Sequence, residues 1–171
     1  MDKVPEGFDW PYKFELIYTV KIMDNDLSCT LKATNKDDEA FKFTSLLHTY
    51  FKIEDVGSCE VSGLPSHCYD KVQDKERTQE MPVRFKGEVD LVFMDSADVT
   101  TIKDGKRTIK VAKKNFKDVV VWNPFQKASS MQDLEEGGEK RFICVESGTV
   151  WKPLTLKPQE TWTASMTITI S

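Results

Sequence analysis

Histidine and arginine are scarce in this 171-residue chain, and no stretch is apolar for long. The run Val119-Val120-Val121-Trp122 is only four residues, whereas a membrane-spanning helix needs roughly 20. The N-terminal MDKVPEGFDWPYK lacks the apolar core of a signal peptide, so the sequence reads as cytoplasmic. There is no excess of basic residues: 24 Lys and Arg stand against 28 Asp and Glu, a net charge of −4. That balance argues against nucleic acid and against an anionic membrane surface as partners. Eight glycines and seven prolines are too few for a collagen-like or low-complexity chain. The four cysteines, Cys29, Cys59, Cys68 and Cys144, form no CxxC pair, and His48 and His67 are the only histidines. No structural metal site is expected from such spacing, and in a reducing compartment the thiols are expected to be free and to pack. A GxSxG elbow, a glycine-rich phosphate loop and a metal-binding His pair are all missing.

Aromatic residues are plentiful, with ten Phe, four Trp and four Tyr. They exclude a disordered chain and suit one domain, residues 1–171, with a real core. The dominant hydrophobic period is two. Phe14, Leu16, Tyr18, Val20 and Ile22 alternate with Glu15, Thr19 and Lys21, Asp24-Asn25-Asp26 reads as a turn, and Leu27, Cys29, Leu31 and Ala33 alternate again. Residues 14–33 therefore predict a β-hairpin. Further strands are expected at 41–51, 59–61, 89–94, 119–122, 142–146 and 162–170. Asp104-Gly105 between two β-rich runs predicts another hairpin. Residues 66–88 show no period and read as a long solvated loop. Residues 125–138 carry the one weak helical or turn-like pattern. Nine or ten short strands without a long helix imply an all-β antiparallel sandwich or barrel.

Three residues stand out for chemistry. Counting by twos from Phe41 puts His48 and Tyr50 on one strand face, on a surface of mixed polar and aromatic character. His48 is either a histidine held in a sheet or a general acid or base, since imidazole titrates near neutrality. Glu146 ends the apolar run Phe142-Ile143-Cys144-Val145. It either faces solvent or, partly buried, gains the raised pKa of a general base. Asp90, before Leu91-Val92-Phe93, poses the same alternative. Trp122-Asn123-Pro124-Phe125 reads as a core edge followed by a turn, or as an aromatic platform for a sugar.

Several motifs occur in order: WPYKFEL (10–16), FTSLLHTYFKIEDV (43–56), SGLPSHCYDK (62–71), EVDLVF (88–93), VVVWNPFQKASSMQD (119–133), FICVESG (142–148) and LKPQETW (156–162). Together they resemble the hexose-6-phosphate mutarotase family, the glucose-6-phosphate 1-epimerases of the aldose-1-epimerase-like superfamily. The resemblance implies a galactose-mutarotase-like antiparallel β-sandwich. It also implies interconversion of the α and β anomers of a hexose 6-phosphate, without metal or other cofactor. By motif, the family histidine falls on His48, the glutamate on Glu146 and a substrate-contacting aspartate on Asp90. Phe93 and Phe125 stand where Tyr and Trp are common. Family members run well beyond this length, so a sandwich truncated at its N-terminus is expected, with an uncovered sheet open to self-association. Only Arg77, Arg84, Arg107 and Arg141 remain to grip a phosphate. A non-catalytic carbohydrate-binding sandwich, or an inactive fragment, is the alternative.

Overall fold

The computed structural model describes residues 10–132 and 134–170. The signal-peptide reading of residues 1–9, and Asp133 at the end of the 119–133 motif, lie outside them. The described chain is nearly all strand, and every pairing is antiparallel. One sheet holds β1 (Phe14–Met23), β2 (Asp26–Asn35), β14 (Thr161–Ile170), β11 (Arg107–Lys114), β10 (Val99–Asp104), β5 (Glu60–Ser62) and β8 (Val83–Arg84), in that order. The second holds β3 (Phe41–Leu47), β13 (Phe142–Leu156), β12 (Asp118–Asn123), β9 (Val89–Phe93), β6 (His67–Asp70) and β7 (Lys75–Thr78), with β4 (Tyr50–Lys52) also on β13.

The core lies between the sheets, as the two-residue period requires. Val61, Ile102, Ile109, Val111 and Met166 from one side meet Phe51, Leu91, Phe93, Val121, Ile143 and Val145 from the other. Each such side chain contributes about 1.5–3 kcal/mol relative to exposure. A second cluster forms around Ala33, Phe41 and Leu156, with Trp10, Tyr12, Phe43 and Trp162 against it. All four cysteines are free and buried. No helix among the described residues is long and apolar enough to cross a membrane.

The two sequence-predicted hairpins form. Asp24 takes φ 35° in the first turn, a value that a short polar side chain tolerates. In the second, Asp104 pairs with Arg107, so the turn centres on Gly105-Lys106, with Gly105 at φ 59°. Three expectations are corrected. Residues 66–88 are not a loop: they contribute β6, β7 and β8. The inward residues of β6 are Cys68 and Asp70, so its alternation is invisible to hydropathy. Asp70 is kept inside by Arg77 Nε at 2.6 Å and by the backbone N–H groups of Val72 and Gln73. The strand expected at 142–146 runs on to Leu156, and the strand count among the described residues is fourteen. The 125–138 pattern resolves into two 3-10 turns, Phe125–Ser130 and Gly138–Arg141.

Candidate active site

The strand expected over 41–51 breaks at His48 and Thr49, and this break builds the site. On either side of it the pairing with β13 keeps one register, Leu47 opposite Ser147 and Tyr50 opposite Cys144. His48 therefore falls opposite Glu146. On the outer face of this sheet, away from the core, the register then lays down two rows of side chains. One runs His48, Glu146, Val120, Val92, Tyr69. The next runs Tyr50, Cys144, Trp122, Asp90 and then Lys71, whose N–H bonds the Asp90 carbonyl at 2.9 Å. The sheet thus brings together the three residues singled out from sequence, from strands far apart in the chain.

Apart from Tyr50 and Cys144, these rows floor a cleft of about 380 Å³, bordered also by Leu46, Val150 and Trp151. Two backbone features give it walls. Between Thr149 and Leu154 the β13–β3 register shifts, a bulge that turns both Val150 and Trp151 toward the cleft. Buried Asp118 holds that bulge by accepting hydrogen bonds from the N–H groups of Val150 (2.8 Å) and Trp151 (2.9 Å). At Gly148 an added Cβ would sit 2.9 Å from both the Leu46 side chain and the Ser45 carbonyl. The glycine lets Leu46 lie close enough to line the rim.

His48 Nδ1 stands 3.2 Å from Glu146 Oε1, with the imidazole 47% exposed and the carboxylate 3%. The imidazole stacks on Tyr50 with ring centroids 4.8 Å apart and meets the Trp122 ring edge-on. Aromatic packing on Tyr50 and Trp122 fixes the face of the ring. Burial pushes the Glu146 carboxyl from its ordinary 4.5 up to about 7; the Asp90 charge adds to the rise and Lys71 opposes it. Lys71 Nζ pairs with Asp90 Oδ2 at 3.1 Å. Buried Glu146 Oε1 has the His48 contact, while Asp90 Oδ1 is buried and has no hydrogen-bond donor among the described residues. A ligand rich in hydroxyl groups supplies such donors.

Cys144 stands with His48 and Glu146 in a group whose ligand atoms lie within 4.8 Å of one another. Burial pushes its thiol well above the ordinary range, so it lies beneath the pair as a neutral packing group. Trp122 faces the cleft and is followed by the turn that its motif suggested, at Pro124, into a 3-10 segment. Sequence reasoning missed Lys71, Tyr69, Val150 and Trp151. The first two lay in the stretch read as loop, and the last two reach the cleft only through the bulge. None of the four arginines lines the cleft: Arg77 pairs with Asp70, Arg84 with Glu60, Arg107 with Asp104 and Arg141 with Glu135.

The aldose 1-epimerase family model matches residues 1–169. A protein of Cenchrus ciliaris named "Putative glucose-6-phosphate 1-epimerase" is 39% identical over 162 residues, covering 90% of this chain and 49% of that protein. A protein of the same name from Escherichia coli K12 is 34% identical over 143 residues, or 81% of this chain and 47% of its own length. A Salmonella typhimurium crystal structure described as a "putative mutarotase" superposes with a TM-score of 0.86 at 30% identity, covering 95% of this chain and 55% of that one. The chain spans about half the length of the curated relatives it matches.

Proposed function

The chain belongs to the aldose 1-epimerase family, and from that premise we propose that it interconverts the α and β anomers of a hexose 6-phosphate, with glucose 6-phosphate as the substrate to test. The observation that carries this reading is the His48–Glu146 contact at 3.2 Å on the cleft floor. The anomeric hydroxyl and the ring oxygen of a sugar share one carbon, so the base and acid that serve them must be neighbours. Glu146 takes the proton from the anomeric hydroxyl while the His48 imidazolium gives one to the ring oxygen. The ring opens to the aldehyde, the C1–C2 bond turns, and closure returns both protons with the roles reversed. A carboxyl held near pH 7 is populated in both forms at neutral pH, which suits a group that must switch each turnover.

Asp90 and Glu146 lie on β9 and β13, with β12 between them. Two strand spacings across and one two-residue step along separate their backbone positions by about 12 Å, enough for a sugar ring to rest on Val120 and Trp122. The donor-less Asp90 Oδ1 then accepts from a ring hydroxyl. With the arginines committed elsewhere, Lys71 is the ammonium group that lines the cleft, and in this reading it faces the phosphate.

Magnetisation-transfer NMR of the chain with glucose 6-phosphate, and with free glucose, tests the proposal. Anomer exchange above the buffer rate, faster for the phosphate, is the expected result. Sugar binding without faster exchange would replace it with the reading of a carbohydrate-binding sandwich.

A further inference from the structure

Lys113 stands where the two-residue period calls for a core residue. Along β11 it follows Ile109 and Val111 on the buried face, and its side chain is 3% exposed. A lysine is seldom buried without an acid beside it. The one carboxylate paired with it among the described residues, that of exposed Asp98, is 4.0 Å away. The ammonium instead donates to three carbonyls, those of Ser96 (2.9 Å), Phe116 (2.9 Å) and Lys117 (3.4 Å), which occupies all three of its N–H groups. Burial opposes the charge on Lys113, and the charges of Asp98 and Asp118 favour it.

Those carbonyls belong to the two segments that carry the chain between the sheets, 94–98 from β9 to β10 and 115–117 from β11 to β12. The segments also meet directly, the Ser96 N–H donating to the Lys117 carbonyl at 3.0 Å. Each then reaches the wall of the cleft. The Asp95 N–H donates to Asp118 Oδ1 at 3.2 Å, and the Lys117 N–H to Thr149 Oγ1 at 3.2 Å. Asp118 Oδ2 is the acceptor that holds the Val150 and Trp151 N–H groups. The Trp151 ring packs on Tyr69 with centroids 5.1 Å apart. One run of hydrogen bonds thus leads from an ammonium on the first sheet to an aromatic ring over the outer face of the second. Resting on the sugar-binding reading of the cleft, we propose that Lys113 is a positioning residue: it fixes both crossovers and, through Asp118, sets the height of Trp151 over a bound sugar.

Fluorine NMR of the full chain labelled with 5-fluorotryptophan reads Trp151 without any ligand, its resonance identified by its loss in Trp151→Ala. Lys113→Met keeps the aliphatic stem and removes the donors. It is expected to shift the Trp151 resonance and to leave that of Trp122, on the cleft floor, in place. Calorimetry with glucose 6-phosphate gives the second readout. Lys113→Met is expected to raise the Kd about fivefold. With Trp151→Ala already present, the same change moves the Kd by less than about twofold, whereas a general loosening of the fold would cost as much in both backgrounds. Thr149→Val keeps the shape and removes only the Lys117 acceptor, so it shifts the same resonance and tests the route should Lys113→Met not fold. A parent chain that binds no sugar counts against the function proposed above, and the fluorine shift then decides this inference alone. A Trp151 resonance unmoved in the folded variants, or a Lys113→Met effect on Kd as large without Trp151 as with it, would overturn the proposal.

Discussion

Replacing Glu146 by Gln is expected to stabilise the fold at alkaline pH while removing the chemistry. The carboxyl has an ordinary pKa of 4.5 and is held at about 7 in the folded chain, chiefly by burial. The folded state therefore binds this proton more tightly than the unfolded state does. Between pH 4.5 and 7 the folded chain keeps the proton that the unfolded chain has released, so stability falls as pH rises, and it levels off above 7. Each pKa unit is worth about 1.4 kcal/mol, which sets the full penalty of the buried carboxylate at about 3 kcal/mol. Glutamine keeps the shape but does not titrate. Urea unfolding of both proteins, pH by pH, gives two stability curves. Subtracting them cancels every other titrating group. The difference, variant minus parent, is expected to climb by about 2–3 kcal/mol from pH 4.5 to 8. Over the same range anomer exchange by the variant falls about 10²–10⁴-fold. A difference that stays flat, or declines, with rising pH would refute the claim that the fold bears the cost of an ionised Glu146.

Removing the proposed acid by His48→Asn is expected to slow anomer exchange at least about a hundredfold, read by magnetisation-transfer NMR on a folded variant. Asp90→Asn takes away a negative neighbour that raises the Glu146 pKa, so the acid limb of the pH–rate profile moves from about 7 to lower pH. Lys71→Met removes the opposing positive charge and moves that limb the other way, while narrowing any preference for phosphorylated over free hexose. Asp118→Ala leaves the Val150 and Trp151 N–H groups without their acceptor and is expected to cost about 2–4 kcal/mol in urea unfolding. It also weakens sugar binding, measured by calorimetry, because the bulge that carries Trp151 over the cleft is released.

The site is costly for stability in several places at once. Burial holds the Glu146 carboxyl well above its ordinary pKa, and Asp90 keeps a buried oxygen without a donor among the described residues; a buried carboxylate oxygen left unpaired is destabilising. An arrangement of this kind persists where a ligand completes it, and the two carboxyl groups flank the strand that floors the cleft.

Alternation along the chain was enough to read the antiparallel architecture, because burial of every second residue writes itself directly into hydropathy. Both hairpins were legible for the same reason, together with their Asp, Asn and Gly turn chemistry. Order of motifs was enough to single out His48, Glu146 and Asp90. Strand β6 was not legible, since one of its two inward residues is Asp70, made tolerable by Arg77 and two backbone donors. Nor was the contact between His48 and Glu146, which lie 98 positions apart in the sequence. It depends on β13 lying between β12 and β3 and on one register surviving across the break at His48 and Thr49. The reach of Trp151 into the cleft depends on a bulge pinned by Asp118. Local pattern records which residues are buried; strand order and register, which record who meets whom, are set by the closure of two whole sheets over one core.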